Sequence, residues 1–329
     1  MPTYAILQNP GHNRVYFKSS RALAQIEFKL AGEKMTATPI NLREEIIGAV
    51  PYLLFDMESQ LIEEDIALCS RLSFVYAIFE WSGNVLIPIE KKSSNYLESD
   101  DITTILKYNG KTNELFTHML LNIAVFNTKF NVNDKLTILD PLCGKGTTLF
   151  DGLLDGHNVC GVDIDGKMIH EAYIFLKKYL ETARYKHSTH QERQGFKDYT
   201  AMRYQIKLSR SKAEEATDVE FVAGDTRNIG GLYRKNTFNI IVGDLPYGVQ
   251  HKSGSFLPIL TEALPGWFKV LKPGGAMVLA WNLFLISKKD MESALEKAGF
   301  KLVMPANDES FVHRVDQAIK RDVIIGTKP

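Results

Sequence analysis

The pattern of hydrophobic and polar positions changes about one third of the way along the chain. Up to residue 90, helical and strand-like stretches are mixed. The spacing predicts strands at TYAILQ, YLLFDM, SFVYAIFEW and VLIPI, and helices at SSRALAQIEFKLAG and ESQLIEEDIALCSRL. We expect Ser19 or Ser20 to cap the first helix and Gly32 to end it. This pattern predicts a small α+β domain over residues 1–98, without a group of residues that suggests a reaction.

A polar, charged stretch, EKKSSNYLESDD at 90–101, separates this domain from the rest of the chain. It is followed by ITTILKY, which reads as a strand, and by a helical pattern that begins near Thr112. We therefore predict a linker at 99–111 and a second domain at 112–329.

From residue 136 onward, strands and helices alternate along the chain. The predicted strands are LTILD, NVCGVD, VEFVAGD, FNIIVGD, GGAMVLAW, FKLVMP and DVIIGTK. Helices are predicted between them, except between VEFVAGD and FNIIVGD and between the last two. Repeated βα units imply a parallel sheet with helices on both faces, and two final strands without a helix between them imply an antiparallel edge. The predicted fold class is α/β, with a Rossmann-like, mostly parallel sheet and an antiparallel last strand.

Composition limits the classes of protein that this chain can represent. With 45% hydrophobic and 24% charged residues it has the balance of a globular protein, and 39 basic against 39 acidic residues exclude an overall nucleic-acid charge. Three widely spaced cysteines suit neither a disulfide framework nor a metal site. The sequence shows no signal peptide and no apolar run of membrane-spanning length, so we expect a cytoplasmic protein without a membrane partner.

Candidate chemistry lies where the predicted strands end, because ligands of open parallel sheets bind beyond the carboxyl ends of the strands. The first such end is DPLCGKGTT at 140–148, where Gly144 and Gly146 permit a tight turn before a helix. A phosphate-binding loop would need a glycine at Leu139, and a dinucleotide fingerprint would need Gly or Ala at Leu149. Two interpretations remain, namely a site for a nucleoside–amino-acid ligand such as S-adenosylmethionine and a plain glycine-rich turn.

Three further strands end on an aspartate. Asp163 in GVDID could accept hydrogen bonds from ribose hydroxyls, and Asp225 in GDTRN could accept one from an adenine amine. Each could equally be a helix cap or a turn residue. The fourth aspartate, Asp244, opens the sequence DLPYG.

The order of residues in DLPYG suits methylation of an amine on a nucleic-acid base. The lone pair of such an amine is delocalised into the ring, so the nitrogen attacks poorly. The Asp244 carboxylate and the Leu245 carbonyl could accept its two hydrogens, with Pro246 fixing the chain direction and Tyr247 stacking on the base. A strand-ending turn explains the proline and Gly248, but it does not explain why a carboxylate and an aromatic ring flank the proline.

In this order on these strands, DPLCGKGT, GVDID, GDTRN and DLPYG resemble class I S-adenosylmethionine-dependent amino-methyltransferases. The closest resemblance is to the tRNA guanosine-N2 methyltransferases, and it covers about 112–329 without an obvious full THUMP domain. The resemblance implies S-adenosylmethionine as cofactor and RNA as partner. It implies a catalytic set, Asp244, Leu245, Pro246 and Tyr247, and a cofactor-binding set, Asp140, Cys143, Gly144, Gly146, Asp163, Asp225 and Thr226.

A basic insertion at 184–218 distinguishes the chain from a minimal methyltransferase. Lys177 to Lys212 holds ten Lys and Arg residues against three Asp and Glu residues, interleaved with Tyr185, Tyr199 and Tyr204. Such a segment could bind phosphates and stack on bases, or it could be a solvated helix face and loop. The residues 1–98 are a second candidate for RNA binding.

We therefore expect an enzyme that methylates an exocyclic base amine in RNA, first of all guanosine N2 in tRNA. An adenine or cytosine amine in DNA or ribosomal RNA is an alternative substrate. A small-molecule methyltransferase and a non-catalytic nucleic-acid-binding protein are the alternatives of other classes. Cys143 is expected to be a small loop residue, because no cysteine lies near 244–247 to act as a nucleophile.

Overall fold

The structure is a computed structural model that describes residues 1–9, 14–92, 95–99, 101–105, 111–210, 215–247, 256–304 and 310–329, without the side chains of 14–20. The chain forms two compact units, Met1–Ser94 with Pro305–Lys320, and Asn95–Met304 with Arg321–Pro329. These ranges differ from the predicted 1–98, 99–111 and 112–329, chiefly because 305–320 groups with the first unit. Compactness is not a test of functional domains, so the predicted division stays a prediction.

The first unit is an antiparallel sheet with two helices. Its elements are β1 (Thr3–Gln8), α1 (Arg14–Gly32), β2 (Ile40–Ile47), β3 (Val50–Asp56), α2 (Glu63–Ser70), β4 (Val75–Trp81) and β5 (Leu86–Ile89). The five strands lie in the order β2-β3-β1-β4-β5. Phe28 of α1 packs on Phe55 of β3, with ring centroids 4.7 Å apart. The predicted strands are confirmed, the last two pair as the β4–β5 hairpin, and β2 was not predicted.

Part of the prediction for α1 is wrong. The helix begins at Arg14, so Ser19 and Ser20 lie inside it and neither is its cap, whereas Gly32 is its last residue as predicted. Serines are common at helix starts, but they also occur within helices, and here the helical segment continues in the N-terminal direction.

The second unit carries the alternating strands and helices. Its elements are α3 (Ile102–Ile105), α4 (Glu114–Phe126), β6 (Thr137–Asp140), α5 (Thr147–Leu154), β7 (Asn158–Asp163), α6 (Gly166–Thr182), β8 (Lys186–Gly195), β9 (Thr200–Ser209), β10 (Thr217–Ala223), α7 (Ile229–Leu232), β11 (Phe238–Asp244), α8 (Leu257–Val270), β12 (Leu271–Asn282), α9 (Lys288–Lys297), β13 (Lys301–Val303) and, after the short β14 (His313–Arg314) of the first unit, β15 (Lys320–Thr327). Helices α6, α8 and α9 are amphipathic, whereas α4 and α5 are buried along almost their whole length. The central strands are almost continuously apolar, as parallel strands buried on both faces require.

Nine strands of this unit lie in the order β13-β15-β12-β11-β6-β7-β10-β9-β8. The pairs among β10, β7, β6, β11 and β12 are parallel, and β15 runs antiparallel to both β12 and β13. Helices α4, α5 and α6 contact strands of the sheet, and α8 packs with α7 and α9. The predicted Rossmann-like fold with an antiparallel last strand is confirmed.

Two predictions of local structure are wrong. Residues 102–105 of the predicted strand ITTILKY form the helical turn α3, because the amides of Thr104 and Ile105 bond to the carbonyl of Asp101; the residues 106–110 lie outside the described part. The basic insertion is a hairpin of two ten-residue strands, β8 and β9, which extends the sheet beside β10. Neither a helix face nor a loop describes its residues 186–209.

Candidate active site

The turn between β6 and α5 has the backbone that its sequence predicts. Gly144 and Gly146 have φ values of +52° and +85°, in the left-handed region that favours glycine. The amide of Gly146 donates to the Cys143 carbonyl at 2.7 Å, which closes the turn, and Gly146 is the N-cap of α5. A Cβ atom at Gly146 would lie 3.3 Å from the Phe221 ring, so both conformation and space call for glycine there.

The Asp163 carboxylate holds this turn against the end of β7. Its Oδ2 accepts a hydrogen bond from the amide of Gly144 at 2.9 Å, and its Oδ1 accepts one from the amide of Asp165 at 2.9 Å. The amide of Cys143 donates to the carbonyl of Val162 at 3.1 Å. The first two strand ends predicted to bind a ligand are therefore bonded to each other.

Asp140, at the end of β6, is a buried carboxyl group. Burial raises its pKa to about 7, although hydrogen bonds from Thr148 and the amide of Leu142 oppose this effect. The negative charges of Asp163 and Asp244 raise the pKa further. Asp140 can therefore gain or lose a proton near neutral pH, which an exposed aspartate would not do.

At the end of β11, Asp244 is enclosed by three side chains. Its carboxylate accepts hydrogen bonds from the Tyr247 hydroxyl, through Oδ1, and from the Thr112 hydroxyl, through Oδ2 at 2.7 Å. The Arg321 Nη2 atom lies 3.6 Å from Oδ2. Burial and the neighbouring Asp244 charge raise the pKa of Tyr247 well above its usual value, so this hydroxyl keeps its proton.

Arg321 is a site residue that the sequence did not predict. It is 5% exposed, and its guanidinium lies 4.1 Å from the centroid of the Phe116 ring and 4.9 Å from that of Tyr247. Its Nε atom has no hydrogen-bond partner among the described residues. Arg321 on β15 pairs with Asn282 on β12. Asp244 on β11 pairs with Ala280, two positions earlier on β12, so the strand order alone places Arg321 close to Asp244.

One cavity of about 250 Å³ is lined both by residues of the predicted cofactor-binding set and by residues of the predicted catalytic set. These two sides of the cavity are called the cofactor half and the target half. Six predicted site residues are among those that line it: Asp140, Cys143, Gly144, Asp163, Asp244 and Pro246. Leu245 is buried, and its amide donates to the Ala280 carbonyl at 2.8 Å, which fixes the chain where it leaves β11. Gly248 lies outside the described residues.

Asp225 and Thr226 are not among the residues that line this cavity. The Asp225 carboxylate accepts hydrogen bonds from the amide and the guanidinium of Arg227, which lower the pKa of Asp225. Thr226 is buried, and its hydroxyl accepts a hydrogen bond from the Trp267 indole at 3.2 Å. Both residues serve the turn after β10 in this structure, so a role in binding adenine stays a prediction.

Cys143 is buried within the glycine turn. A Cβ atom at Gly161 would lie 2.6 Å from its Sγ, which means that the thiol fills the space beside that glycine. Burial raises the pKa of the thiol well above its usual value, so the thiol is neutral at physiological pH. These observations agree with a packing role and give no support to Cys143 as a nucleophile.

A comparison with known families identifies the family of this chain. A sequence profile described as "RMKL-like, methyltransferase domain" matches residues 121–314, which is more than half of the chain. The chain belongs to this methyltransferase family. No curated protein matches the chain significantly.

Solved structures similar to this methyltransferase include a TehB-like S-adenosylmethionine-dependent methyltransferase from Corynebacterium glutamicum, at 17% identity and a TM-score of 0.36, over 59% of this chain and 81% of that chain. TrmN from Thermus thermophilus is 15% identical with a TM-score of 0.44, over 88% of this chain and 59% of that chain. TehB from Haemophilus influenzae is 13% identical with a TM-score of 0.37, over 60% and 58%. At these scores the likeness carries no argument about activity.

The methyltransferase uses S-adenosylmethionine as its cofactor. The residues present fit this group, because the glycine turn offers a surface without side chains and the Asp163 carboxylate stands at the same cavity. Among the described residues there is no group of three or more metal-ligating side chains. No helix in the described ranges is long and apolar enough to cross a membrane.

Proposed function

We propose that this methyltransferase modifies an exocyclic amine of an RNA base, first of all guanosine N2 in tRNA. The observation that carries the proposal is the shared cavity: Asp244 and Pro246 of DLPY line the same space as Asp140, Gly144 and Asp163 of the cofactor half. A base amine held by the DLPY residues would therefore lie beside the cofactor. Residues 112–329 are proposed as the catalytic domain, acting in the cytoplasm.

On the cofactor side, the proposal gives each residue a contact. Asp140, Gly144 and Gly146 line the methionine end, Asp163 binds the ribose hydroxyls, and Asp225 with Thr226 meets the adenine. When bound, the cofactor supplies an electrophilic methyl group on a sulfonium. Asp163 already bonds two amides through separate oxygens, and the ribose hydroxyls would donate to the same carboxylate. Asp225 would have to share its carboxylate between Arg227 and the adenine amine.

On the target side, the Asp244 carboxylate and the Leu245 carbonyl would accept hydrogen bonds from the two N–H groups of the amine. These hydrogen bonds fix the nitrogen and favour its pyramidal, nucleophilic form, so most of the acceleration comes from positioning. In the structure the Asp244 Oδ1 atom accepts from the Tyr247 hydroxyl. The incoming amine would replace this hydroxyl, and the freed Tyr247 ring would stack on the base.

The first experiment measures methyl transfer from labelled S-adenosylmethionine into total unmodified tRNA, with nucleoside analysis by mass spectrometry. We expect N2-methylguanosine with wild type and at least about 100-fold less with Asp244→Ala, because one of two amine acceptors is lost. Asp134→Ala, an exposed aspartate in the turn before β6, is the matched control. Calorimetry should show unchanged cofactor binding for both variants.

Other results would correct the proposal in defined ways. Methylated adenine or cytosine would keep the amine chemistry and change the base, and activity only on ribosomal RNA or DNA would change the nucleic acid. Cofactor binding without transfer to any nucleic acid would contradict an RNA substrate. Equal activity of Asp244→Ala and wild type would contradict the assigned role of DLPY.

A further inference from the structure

The β8–β9 hairpin, taken here as residues 184–210, concentrates the positive charge of a neutral chain. It carries seven Lys and Arg residues against two acidic ones, Glu192 and Asp198, which gives a net charge of +5. The remaining 32 basic and 37 acidic residues leave the rest of the chain at −5. The hairpin is therefore a local site of attraction for anions on a protein that otherwise repels them.

Most of this charge is available at the surface. Six of the seven basic residues are exposed: Arg184, Lys186, Arg193, Lys197, Lys207 and Arg210. The exception is Arg203, which is buried and bonds to Glu220 at 2.8 Å. Lys207 has an exposed partner, Asp218, at 3.6 Å, whereas Lys186, Arg193 and Lys197 have no ion pair within the described ranges. Three cations along β8 and the turn are therefore not neutralised.

Protection of a sheet edge does not by itself account for this charge. Strand β8 is the outer edge of the sheet, and charged side chains on an edge strand prevent pairing with other chains. Acidic residues would give the same protection, yet the hairpin has seven basic residues for two acidic ones. The sign of the charge points to a negatively charged partner.

The turn of the hairpin lies at the carboxyl end of the parallel strands, near the level of Asp163, which lines the cavity. Met202 of β9 pairs with Ala223, the last residue of β10, so the turn lies just beyond it. Gly224 follows Ala223, and its amide donates to the Asp163 carbonyl at 2.9 Å. Ten residues of strand extend for about 30 Å. Strand β8 thus leads from the level of Asp163 along the flank of the sheet.

The tyrosines of the hairpin are engaged within the protein. Tyr185 accepts a hydrogen bond from the amide of Glu98, Tyr199 stacks on Phe196 at 4.4 Å, and Tyr204 packs on Tyr173 at 4.9 Å. The sequence-based expectation that these rings stack on bases therefore gains no support. The exposed charged groups of the hairpin are six cations and two carboxylates, and surface cations bind the phosphates of a nucleic acid whatever its base sequence.

We propose that β8 and the hairpin turn form a docking surface for the sugar-phosphate backbone of the substrate RNA. The inference rests on the proposed function, because the polyanion is taken to be the nucleic acid whose base enters the cavity. Lys186, Arg193 and Lys197 contact phosphates, and their contribution does not depend on base sequence. The hairpin thus supplies the RNA affinity that the rest of the chain, with its opposite charge, does not.

The test compares two triple variants on the full chain. K186Q/R193Q/K197Q removes three hairpin cations that have no ion pair among the described residues, and K289Q/K297Q/K301Q removes three exposed lysines from α9 and β13 at the opposite edge of the sheet. Dissociation constants for unmodified tRNA are measured at several salt concentrations, together with cofactor affinity, kcat and the KM for RNA. Circular dichroism checks that both variants fold.

We expect the hairpin variant to bind tRNA at least about tenfold more weakly at low salt, with a salt slope lower by about 2, since each phosphate contact contributes about 0.7 to 0.9. Its KM for RNA rises, while kcat and cofactor affinity stay at the wild-type values. The control variant binds tRNA like wild type. Equal losses in both variants, or none in either, would overturn the inference.

The outcomes separate this inference from the proposed function. RNA methylation that is independent of the hairpin would refute the docking surface and leave the proposed function intact. Hairpin-dependent RNA binding without methyl transfer to any RNA would refute the proposed function and keep the docking surface. No RNA binding by wild type would refute both.

Discussion

The two halves of the cavity are built in different ways. The cofactor half consists of the turn after β6 and the end of β7, and the hydrogen bonds of Asp163 to Gly144 and Asp165 hold it in place. The target half joins residues that are far apart in the sequence, Thr112, Asp244 and Arg321. Turns between neighbouring elements form the cofactor half, whereas the target half forms only when α4, β11 and β15 have packed together.

The two halves also differ in how they hold a carboxyl group. Asp140 on the cofactor side has neutral hydrogen-bond donors, and burial raises its pKa to about 7. Asp244 on the target side has a guanidinium at 3.6 Å and two hydroxyl donors. Both carboxyl groups accept hydrogen bonds from the protein, but Asp244 also has a guanidinium beside it, and a hydroxyl bonds to each of its oxygens. We infer that the target half has to rearrange when a substrate binds.

The guanidinium of Arg321 is the cation of the target half, and its removal should have the largest effect on the reaction. We expect Arg321→Gln to lower kcat about 100-fold, because Asp244 loses the charge that faces it and the Tyr247 ring loses its contact with the guanidinium. Cofactor affinity should stay unchanged, since Arg321 does not line the cavity. Single-turnover rates and calorimetry measure the two effects.

Two further variants control this prediction. Lys320→Gln removes an exposed charge from the adjacent position and should leave kcat at the wild-type value. Arg321→Lys keeps the charge without the planar guanidinium and should recover part of the rate. A rate for Arg321→Gln within about threefold of wild type would show that the guanidinium is only a packing element.

Substitutions of Tyr247 test whether its hydroxyl leaves the Asp244 carboxylate when the substrate binds. We expect Tyr247→Phe to keep kcat within about threefold of wild type, because the hydroxyl only occupies the Asp244 oxygen until the amine arrives. Tyr247→Ala should lower kcat/KM by about 5-fold to 150-fold, the range for one lost base-stacking contact of about 1–3 kcal/mol. Steady-state kinetics on the same RNA compares the two. A large loss with Tyr247→Phe would instead assign the hydroxyl a part in the reaction.

The difference between the halves also explains what the sequence could predict. Gly144, Gly146 and Asp163 lie in βα turns, where residue type and spacing carry the information, and the structure brings two of them together at the cavity. Arg321 gives no such signal, because an arginine before DVIIGT reads as the solvated start of a strand. Only the strand order, with β15 beside β12, places it near Asp244.

The hairpin shows the same limit at the level of secondary structure. Strand β8 is exposed on both sides, so its sequence KHSTHQERQG has no hydrophobic period. Strand β9 does alternate, with Met202, Tyr204, Ile206 and Leu208 between polar residues, and this signal could have revealed it. For α3 the β-branched residues of ITTI favoured a strand, but the backbone bonds to Asp101 determine a helical turn.

The pH dependence of cofactor binding tests the cofactor half through the Asp140 carboxyl group. The raised pKa of about 7 means that Asp140 is protonated below that value and ionised above it. The ammonium of the cofactor's methionine end favours the ionised form, so binding at lower pH must first release a proton. Cofactor affinity should therefore fall by up to about tenfold for each pH unit below 7 and level off above it.

Calorimetry from about pH 5.5 to about pH 8 brackets this pKa and measures the affinity. Repeating the titrations in two buffers of different ionisation enthalpy measures the released proton. Asp140→Asn should bind more weakly with a flat profile, because it keeps the size of the side chain and cannot titrate. A wild-type profile as flat as that of Asp140→Asn would move the methionine end away from Asp140 and leave the amine side of the proposal untouched.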